Sequence, residues 1–593
     1  DCFMAPCSNT CPINQDISLY NYYVKNNEFE KALEVIYRMN PLPFMTGNIC
    51  AHPCTTSCMR NHYEENVDIR GNKLLAARNA FDKVVKNVKP VSPNGKTVGV
   101  VGAGPGGIAV ATFLARDGYA VTVYDKEKKA GGTVSNIIPH FRLPEEEIEK
   151  DVEYAKAWGA KFELGVEIKS IKELKDKFDY VVIAIGAHKE SKAGFTGYDK
   201  CINAHKFLID FNEKNGKLDI GKNVAVIGAG NTAMDAVRAA KRTSGVENVY
   251  LVYRRNILNA PADEDEINLA IKDGVQIKEL LAPDSYENGV LKCKVCKLGP
   301  IGADGRNSIE VTNDIAEIKA DTVIASIGEK VDGEFYKSND IDVNDKGLPV
   351  LDSMMQTSIK DVYAIGDGAL GASIIVKAIR DAKLVSVAIS GKSFEGNEVP
   401  NEKVENIYKD RAILKDRVEV SANNVGAVSH APERLRSELV ERVRRPSEAT
   451  KYSWGAKCPW GASPNDASRC LHCNKVCETC NEVCPNRANV HIELKDGSHQ
   501  IVHVDSMCNE CGNCAVFCPY DSRPYKDKFT LFFDEAAMND SENSGFYFKD
   551  ENLAVVRIDG VKSEYKLHTS DAKLGKLAEV IDTIKEKHSY MVF

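Results

Sequence analysis

The chain has 593 residues, of which 43% are hydrophobic and 27% charged, with a formal net charge of -8. That length exceeds a single hydrophobic core and predicts roughly four domains. The scattered, net acidic charge excludes the basic face that nucleic-acid binding requires, and no uninterrupted apolar run is long enough to cross a bilayer. Nineteen cysteines at CxxC-like spacings in so large a chain point to metal rather than to a disulfide framework. Iron-sulphur centres in such number imply a reducing cytoplasm and an anaerobic setting. The chain opens at Asp1 without Met or an apolar leader, which predicts sequence upstream and no secretory signal.

The opening segment carries Cys2, Cys7 and Cys11-Pro12, then Cys50, Cys54 and Cys58, on either side of a stretch with helical patterning over residues 16–39. Each thiolate triad suits three corners of a four-iron cluster, with the fourth ligand drawn from elsewhere. Zinc also takes four thiolates and is the competing reading, though it fits six cysteines less naturally.

Residues 98–101 read as a short buried strand, followed by Gly102-Ala-Gly104-Pro105-Gly-Gly107 and a helix from about residue 108. Such a GxGxxG turn lets backbone N–H groups and a helix N-terminus approach a pyrophosphate. A second strand over 119–124 ends on Asp125, 23 residues after Gly102, where a ribose hydroxyl needs an acceptor. These residues predict an FAD site, to which the glycine pair ending at Gly132 is joined below.

A second dinucleotide unit starts near residue 222, with Gly228, Gly230, Asn231, Thr232 and Ala233 in the turn. Its second strand ends at Arg254-Arg255, 26 residues after Gly228, where an acid would otherwise stand. Two guanidinium groups there favour a 2'-phosphate, and so NADP(H), with NAD(H) as the alternative. Cys293 and Cys296 lie on a predicted strand over 290–298, where residues three apart point to opposite faces; the pair reads as structural.

The chain then returns to the flavin fold through residues 322–328 and a strand ending at Gly366-Asp367, placed to hold the ribityl chain, with a helix over about 372–390. The pattern predicts an NADP domain inserted in an FAD domain. No side-chain acid or base is required, because the cofactors carry the chemistry. Residues 394–457 are polar, with one helix near 432–445, and read as a connector.

Cys508-x2-Cys511-x2-Cys514-x3-Cys518-Pro519 is the bacterial ferredoxin run in full, preceded by Cys470, Cys473, Cys477, Cys480 and Cys484-Pro485. Because the fourth cysteine of each such run serves the other cluster, Cys508, Cys511, Cys514 and Cys484 are assigned to one centre, and Cys473, Cys477, Cys480 and Cys518 to the other. Cys458 and Cys470 are spare candidates. The final stretch offers a strand over 554–558 and a helix over 574–584.

The cysteine triads followed by Gly-Ala-Gly-Pro-Gly-Gly resemble the glutamate synthase small subunit and the N-terminal half of dihydropyrimidine dehydrogenase. The resemblance implies two N-terminal 4Fe-4S clusters. It also places one family cysteine three residues before Cys2, and Lys73 where the family carries a Glu or Gln ligand. Gly131-Gly132 and the segment from Ile138 to Pro144, with Arg142, resemble the family's loop beside the flavin, although Asn136 and Ile137 replace its Tyr-Gly. Tyr253-Arg254-Arg255, Pro261, Ala262 and Glu266 match the same family. The order of modules, with Arg469-Cys-Leu-His-Cys, is similar to the flavin and iron-sulphur subunits grouped as selenate reductases, whose substrate follows from no residue here.

The expected fold is α/β, with two Rossmann-like domains, one inserted in the other, between an N-terminal helical Fe-S domain and a C-terminal two-cluster ferredoxin-like domain. The expected boundaries are 1–90 for the helical domain, 91–215 with 330–395 for FAD, 216–329 for NAD(P)H, 396–457 for the linker, 458–527 for the ferredoxin-like domain and 528–593 for an α+β segment. Electrons are expected to pass between NADPH, FAD and 4Fe-4S clusters, to or from a partner redox subunit or an upstream catalytic domain, a molybdenum hydroxylase or a ferredoxin among them. The alternatives are a self-contained NAD(P)H:ferredoxin oxidoreductase and a relay and assembly subunit with negligible activity alone.

Overall fold

The computed structural model describes residues 5–58, 60, 66–190, 194–301, 306–392, 462–470, 479–495, 499–518, 522–571 and 573–592. Cys2, Cys458, Cys473, Cys477, the connector over 396–457 and its helix lie outside the described residues.

The N-terminal unit is helical. The expected single helix over 16–39 is two, Ile17–Lys25 and Phe29–Met39. Asp16 caps the first by accepting from Leu19 N at 3.1 Å. Asn27 then takes a left-handed φ of 60°, which asparagine tolerates and which ends the helix. Leu33, Phe44, Leu74 and Phe81 form a buried core where Phe29–Met39, Pro43–Ile49 and Ile69–Lys86 meet.

Two parallel five-stranded sheets follow. The first runs in the order Val362–Ala364, Tyr180–Ile183, Thr97–Val101, Ala120–Asp125, Lys161–Leu164. The second runs Ile202–Asn203, Thr322–Ala325, Asn223–Ile227, Asn248–Val252, Gln276–Lys278. Residues 98–101 are buried throughout, as a strand covered on both faces must be, whereas in Ala120–Asp125 only Val121 and Val123 are buried. The second sheet reaches back to Ile202 rather than starting at 216, because Ile202 pairs in parallel with Ile324. The two chain crossings between the sheets pair with each other, Lys189–Glu190 antiparallel to Glu329–Lys330.

A three-stranded antiparallel sheet, Leu281–Glu287, Val290–Ile301 and Asn307–Lys319, flanks the second unit. Its register shifts between Lys294 and Cys296. Cys293 and Cys296 are both buried, at 0% and 1% exposure.

The C-terminal residues share one six-stranded sheet, from Asn489–Glu493 to Val561–Lys566. His503 pairs in parallel with Thr530, so the regions expected to divide at residue 527 are joined. The helix Lys576–Lys587 closes a core containing Val502, Phe546, Val556 and Ile581. Residues 462–470 dock on the N-terminal unit: the fully buried Asp466 accepts from Asn72 Nδ2 at 2.8 Å and from Asp68 N at 2.9 Å. Cys470 packs against a second N-terminal cluster that contains Ile13, Ile17 and Tyr20. Among the described residues no helix is long and apolar enough to cross a membrane.

Candidate functional site

A cleft of about 710 Å³ lies between the two parallel sheets. Gly102, Gly104, Pro105, Asp125, Gly132, Arg142, Gly366 and Asp367 line it from the first unit, and Asn231 and Thr232 from the second. Its volume is within the range of sites that enclose organic cofactors.

The glycines of the first turn do different work. Gly102 has φ of 107°, and a Cβ there would stand 2.3 Å from Ala184 O. A Cβ on Gly107 would meet Gly102 O at 1.8 Å, so this glycine lets the helix Pro105–Arg116 start hard against the strand. Gly104 has open space in front of it. The helix begins three residues earlier than expected, and no side chain caps its N-terminal N–H groups. Those groups are the ones an anion satisfies.

Asp125 braces this loop. Its Oδ2 accepts from Ala103 N at 2.6 Å and its Oδ1 from Glu127 N at 2.8 Å. Asp367 accepts from Ser373 N at 3.0 Å, and burial pushes its carboxyl up to about 6. Gly366 N donates to the buried Asp381 at 3.2 Å, a support with no sequence signal of its own. The following helix, Ile375–Ser390, starts three residues later than expected.

Arg142 borders the cleft, but its charge is taken up by the second unit. Nη1 donates to both oxygens of Asp235 at 2.9 Å, and Nη2 pairs with Glu266 at 2.5 Å. Nε is buried without a hydrogen-bond partner. Arg238 joins Glu266 to Asp273, each at 2.9 Å. Burial raises the Asp235 carboxyl to about 6 against the pull of Arg142. Asp235 was missed because its partner is 93 positions away in sequence. His205 also lines the cleft, and burial, then repulsion from His188, lowers its imidazole to about 4.

In the second turn a Cβ on Gly228 would stand 2.2 Å from Ser326 O, whereas Gly230 is open. Asn231 Oδ1 accepts from Asp263 N at 2.8 Å. Ala233 is buried in the helix Asn231–Arg242. Arg254 is exposed at the end of its strand, while Arg255 Nε donates to Asn307 O at 2.5 Å.

Thiols gather in two places. Cys11, Cys50 and Cys54 line one N-terminal chamber with Gln15 and Lys73, and Cys7 and Cys58 lie in the same unit. Burial pushes the Cys11 and Cys54 thiols up, and the charge of Lys73 pulls both the other way. Cys50 lines this chamber while its neighbours Ile49 and Ala51 line the large cleft. One residue therefore separates the two spaces.

Cys484, Cys508, Cys511 and Cys514 surround a second chamber, the four that the ferredoxin pattern groups together. Cys480 is buried beside Cys514, and Cys518 is half-buried. Among the described residues no three His, Cys, Asp or Glu side chains close on a single ion. Four thiols around one chamber are the donor set that an iron-sulphur cluster takes, so these residues fit that group.

Residues 96–390 match the family described as pyridine nucleotide-disulphide oxidoreductase, and residues 1–84 match dihydropyrimidine dehydrogenase domain II, 4Fe-4S cluster. The chain is 35% identical to YgfK of Escherichia coli (strain K12) over its whole length, and spans 56% of that protein. It is 31% identical to the NADP(+)-dependent formate dehydrogenase subunit beta of Moorella thermoacetica, with 80% of this chain and 71% of that one covered. It is 30% identical to the glutamate synthase [NADPH] small chain of Azospirillum brasilense, covering 67% and 88%. With two dinucleotide turns on one cleft and thiol chambers beyond it, the chain belongs to the family of the glutamate synthase small chain, and is an NAD(P)H-dependent FAD and 4Fe-4S oxidoreductase.

Proposed function

We propose that the chain carries electrons between NADPH and a partner redox subunit or further domain, with FAD in the large cleft and 4Fe-4S clusters at the thiol chambers. The observation that carries this reading is the Ile49-Cys50-Ala51 step, where a cysteine of one chamber is flanked by two residues of the cleft wall. Bound cofactors supply hydride transfer and single-electron transfer.

The chain's own residues bind, orient and exclude water. Gly102 and Gly104, with Gly107 letting the helix start close behind them, would hold the flavin pyrophosphate, and Asp125 and Asp367 would hold its hydroxyl groups. Asn231 and Thr232 stand where the second dinucleotide enters, and Arg254 is the cation open to a 2'-phosphate. Arg142 holds the second unit against the first. In domain terms, residues 202–325 form an NADP unit inserted in the FAD unit, and the cysteine runs of 462–518 form a two-cluster ferredoxin-like part that shares its sheet with the C-terminus.

The relatives' names support the reading of a partner. The chain spans about half of YgfK, and other relatives are named as subunits of larger redox enzymes. Full-length protein purified without oxygen is expected to contain FAD and several 4Fe-4S centres, and both absorptions should bleach on adding NADPH. Protein without flavin, or flavin that bleaches while every cluster stays oxidised, would refute the proposal.

A further inference from the structure

The N-terminal chamber beside the cleft holds three thiols, Cys11, Cys50 and Cys54, and its other polar side chains are nearly all committed elsewhere. Tyr20 donates its hydroxyl to Ile69 O at 3.1 Å. His52 uses one ring nitrogen with Thr55 and the other with Asp265, both at 2.8 Å. Arg70 donates to Cys50 O at 3.0 Å and lies 3.6 Å from Asp265.

Gln15, 5% exposed, is oriented by a chain of bonds. Leu42 N donates to Asn40 Oδ1 at 3.1 Å, which turns Asn40 Nδ2 toward Gln15 Oε1 at 3.3 Å and Thr46 Oγ1 at 2.8 Å. Rotating the Gln15 amide would set two NH2 groups against each other, so its Nε2 is the atom that faces Cys11 Sγ, at 3.9 Å. Gln15 is therefore a donor to sulphur and not an oxygen ligand. Lys73 remains. It is 4% exposed, borders the chamber from the helix Ile69–Lys86, and forms no salt bridge with a described carboxylate.

We propose that the centre in this chamber is held by three protein thiolates, and that Lys73 at its fourth corner offsets their negative charge and sets its reduction potential above that of a four-thiolate centre. The inference rests on the cluster reading given above. Net charge and hydrogen bonds to sulphur are the terms by which a protein moves such a potential, and the Lys73 ammonium and the Gln15 N–H act in the same direction. Cys50 stands between Ile49 and Ala51, which line the large cleft, so a centre held here would be the one next to the cleft.

The test is a potentiometric titration followed by electron paramagnetic resonance, on full-length wild type, Lys73→Arg, Lys73→Gln and Lys73→Glu, with iron, sulphide and flavin counted in each. Lys73→Arg keeps the cation and is expected to hold the wild-type potential. Lys73→Gln is expected to lower the potential of one centre by about 59 mV or more, a tenfold shift for one electron, with unchanged iron. Lys73→Glu is expected to lower it further. Equal potentials in all four proteins would overturn the proposal, as would loss of the centre from both Lys73→Arg and Lys73→Gln. Cys50→Ser separates the two levels of argument: an iron count and spectrum unchanged by it would refute the cluster reading itself.

Discussion

Arg142 Nη1 sits 2.9 Å from each carboxylate oxygen of Asp235, and this contact ties the loop beside the first dinucleotide turn to the helix that opens the second. Both side chains are nearly enclosed, at 11% and 6% exposure. The pair is the start of a line in which three arginines, Arg142, Arg238 and Arg242, alternate with Asp235, Glu266 and Asp273. Phe141 stacks beneath Arg242, with the guanidinium carbon 4.3 Å from the ring centroid. An alternating line lets each buried charge meet an opposite one, which an isolated pair at this depth does less well.

Arg142→Ala is expected to destabilise the protein by about 3–5 kcal/mol, because it leaves Asp235 and Glu266 buried with less compensation. Asp235→Ala should cost less, since Arg142 keeps Glu266. The double variant should cost less than the sum of the two. Urea unfolding of the three proteins measures the coupling, and an Arg142→Ala protein within about 0.5 kcal/mol of wild type would show that the contact holds nothing together.

The two turns can be tested through glycines that differ in one respect. A methyl group on Gly107 would meet a backbone oxygen at 1.8 Å, so Gly107→Ala is expected to fail to fold or to be strongly destabilised. Gly104 and Gly230 have nothing within 4 Å and ordinary negative φ, of -74° and -86°. Their alanine variants should fold normally but intrude where a pyrophosphate approaches. Gly104→Ala is expected to weaken FAD about tenfold or more, roughly 1.4 kcal/mol, and Gly230→Ala to weaken NADPH alike. Titration of apoprotein with FAD, and of holoprotein with NADPH, reads each separately. Tight FAD binding by folded Gly104→Ala would place the pyrophosphate elsewhere.

What was legible in the sequence was local. Gly102 and Gly228 announce themselves because their φ values of 107° and 127° disfavour a side chain, and the cysteine runs by their regular spacing. What escaped were relations between distant positions. Asp235 meets Arg142 across 93 residues and Asp466 meets Asn72 across 394, and neither leaves a periodic mark. The strand Ile202–Asn203 is two residues long, too short for alternation to show, so the second unit was started too late.

Arg254 and Arg255 are adjacent, yet the structure gives them unequal freedom. Arg255 Nε is engaged with Asn307 O at 2.5 Å and anchors the strand Asn307–Lys319, whereas Arg254 is exposed. Arg254→Ala is expected to raise the KM for NADPH about tenfold or more while leaving that for NADH little changed, as loss of a charge-assisted bond to phosphate requires. Arg255→Ala should instead raise both together and lower the melting temperature. Steady-state kinetics with the two nucleotides distinguishes them, and an Arg254→Ala enzyme with an unaltered preference would remove this residue from phosphate recognition.

His205 gives the cleft a pH dependence whose sign can be worked out. Burial lowers its imidazole from 6.5 to about 4, with His188 adding repulsion. Below pH 6.5 the unfolded chain takes up a proton at this position that the folded chain refuses until about pH 4. Stability from the neutral ring is therefore complete above pH 6.5 and is lost as pH falls through this window. The contribution has an upper limit of about 3 kcal/mol from the size of the shift, and less in practice because the ring borders an open cleft. His205→Gln is expected to flatten the fall in unfolding free energy between pH 6.5 and 4 relative to wild type, with the curves parallel above pH 7. Denaturant unfolding across this range, with flavin content held equal, checks it. A variant that loses stability as steeply as wild type would assign the dependence to other groups.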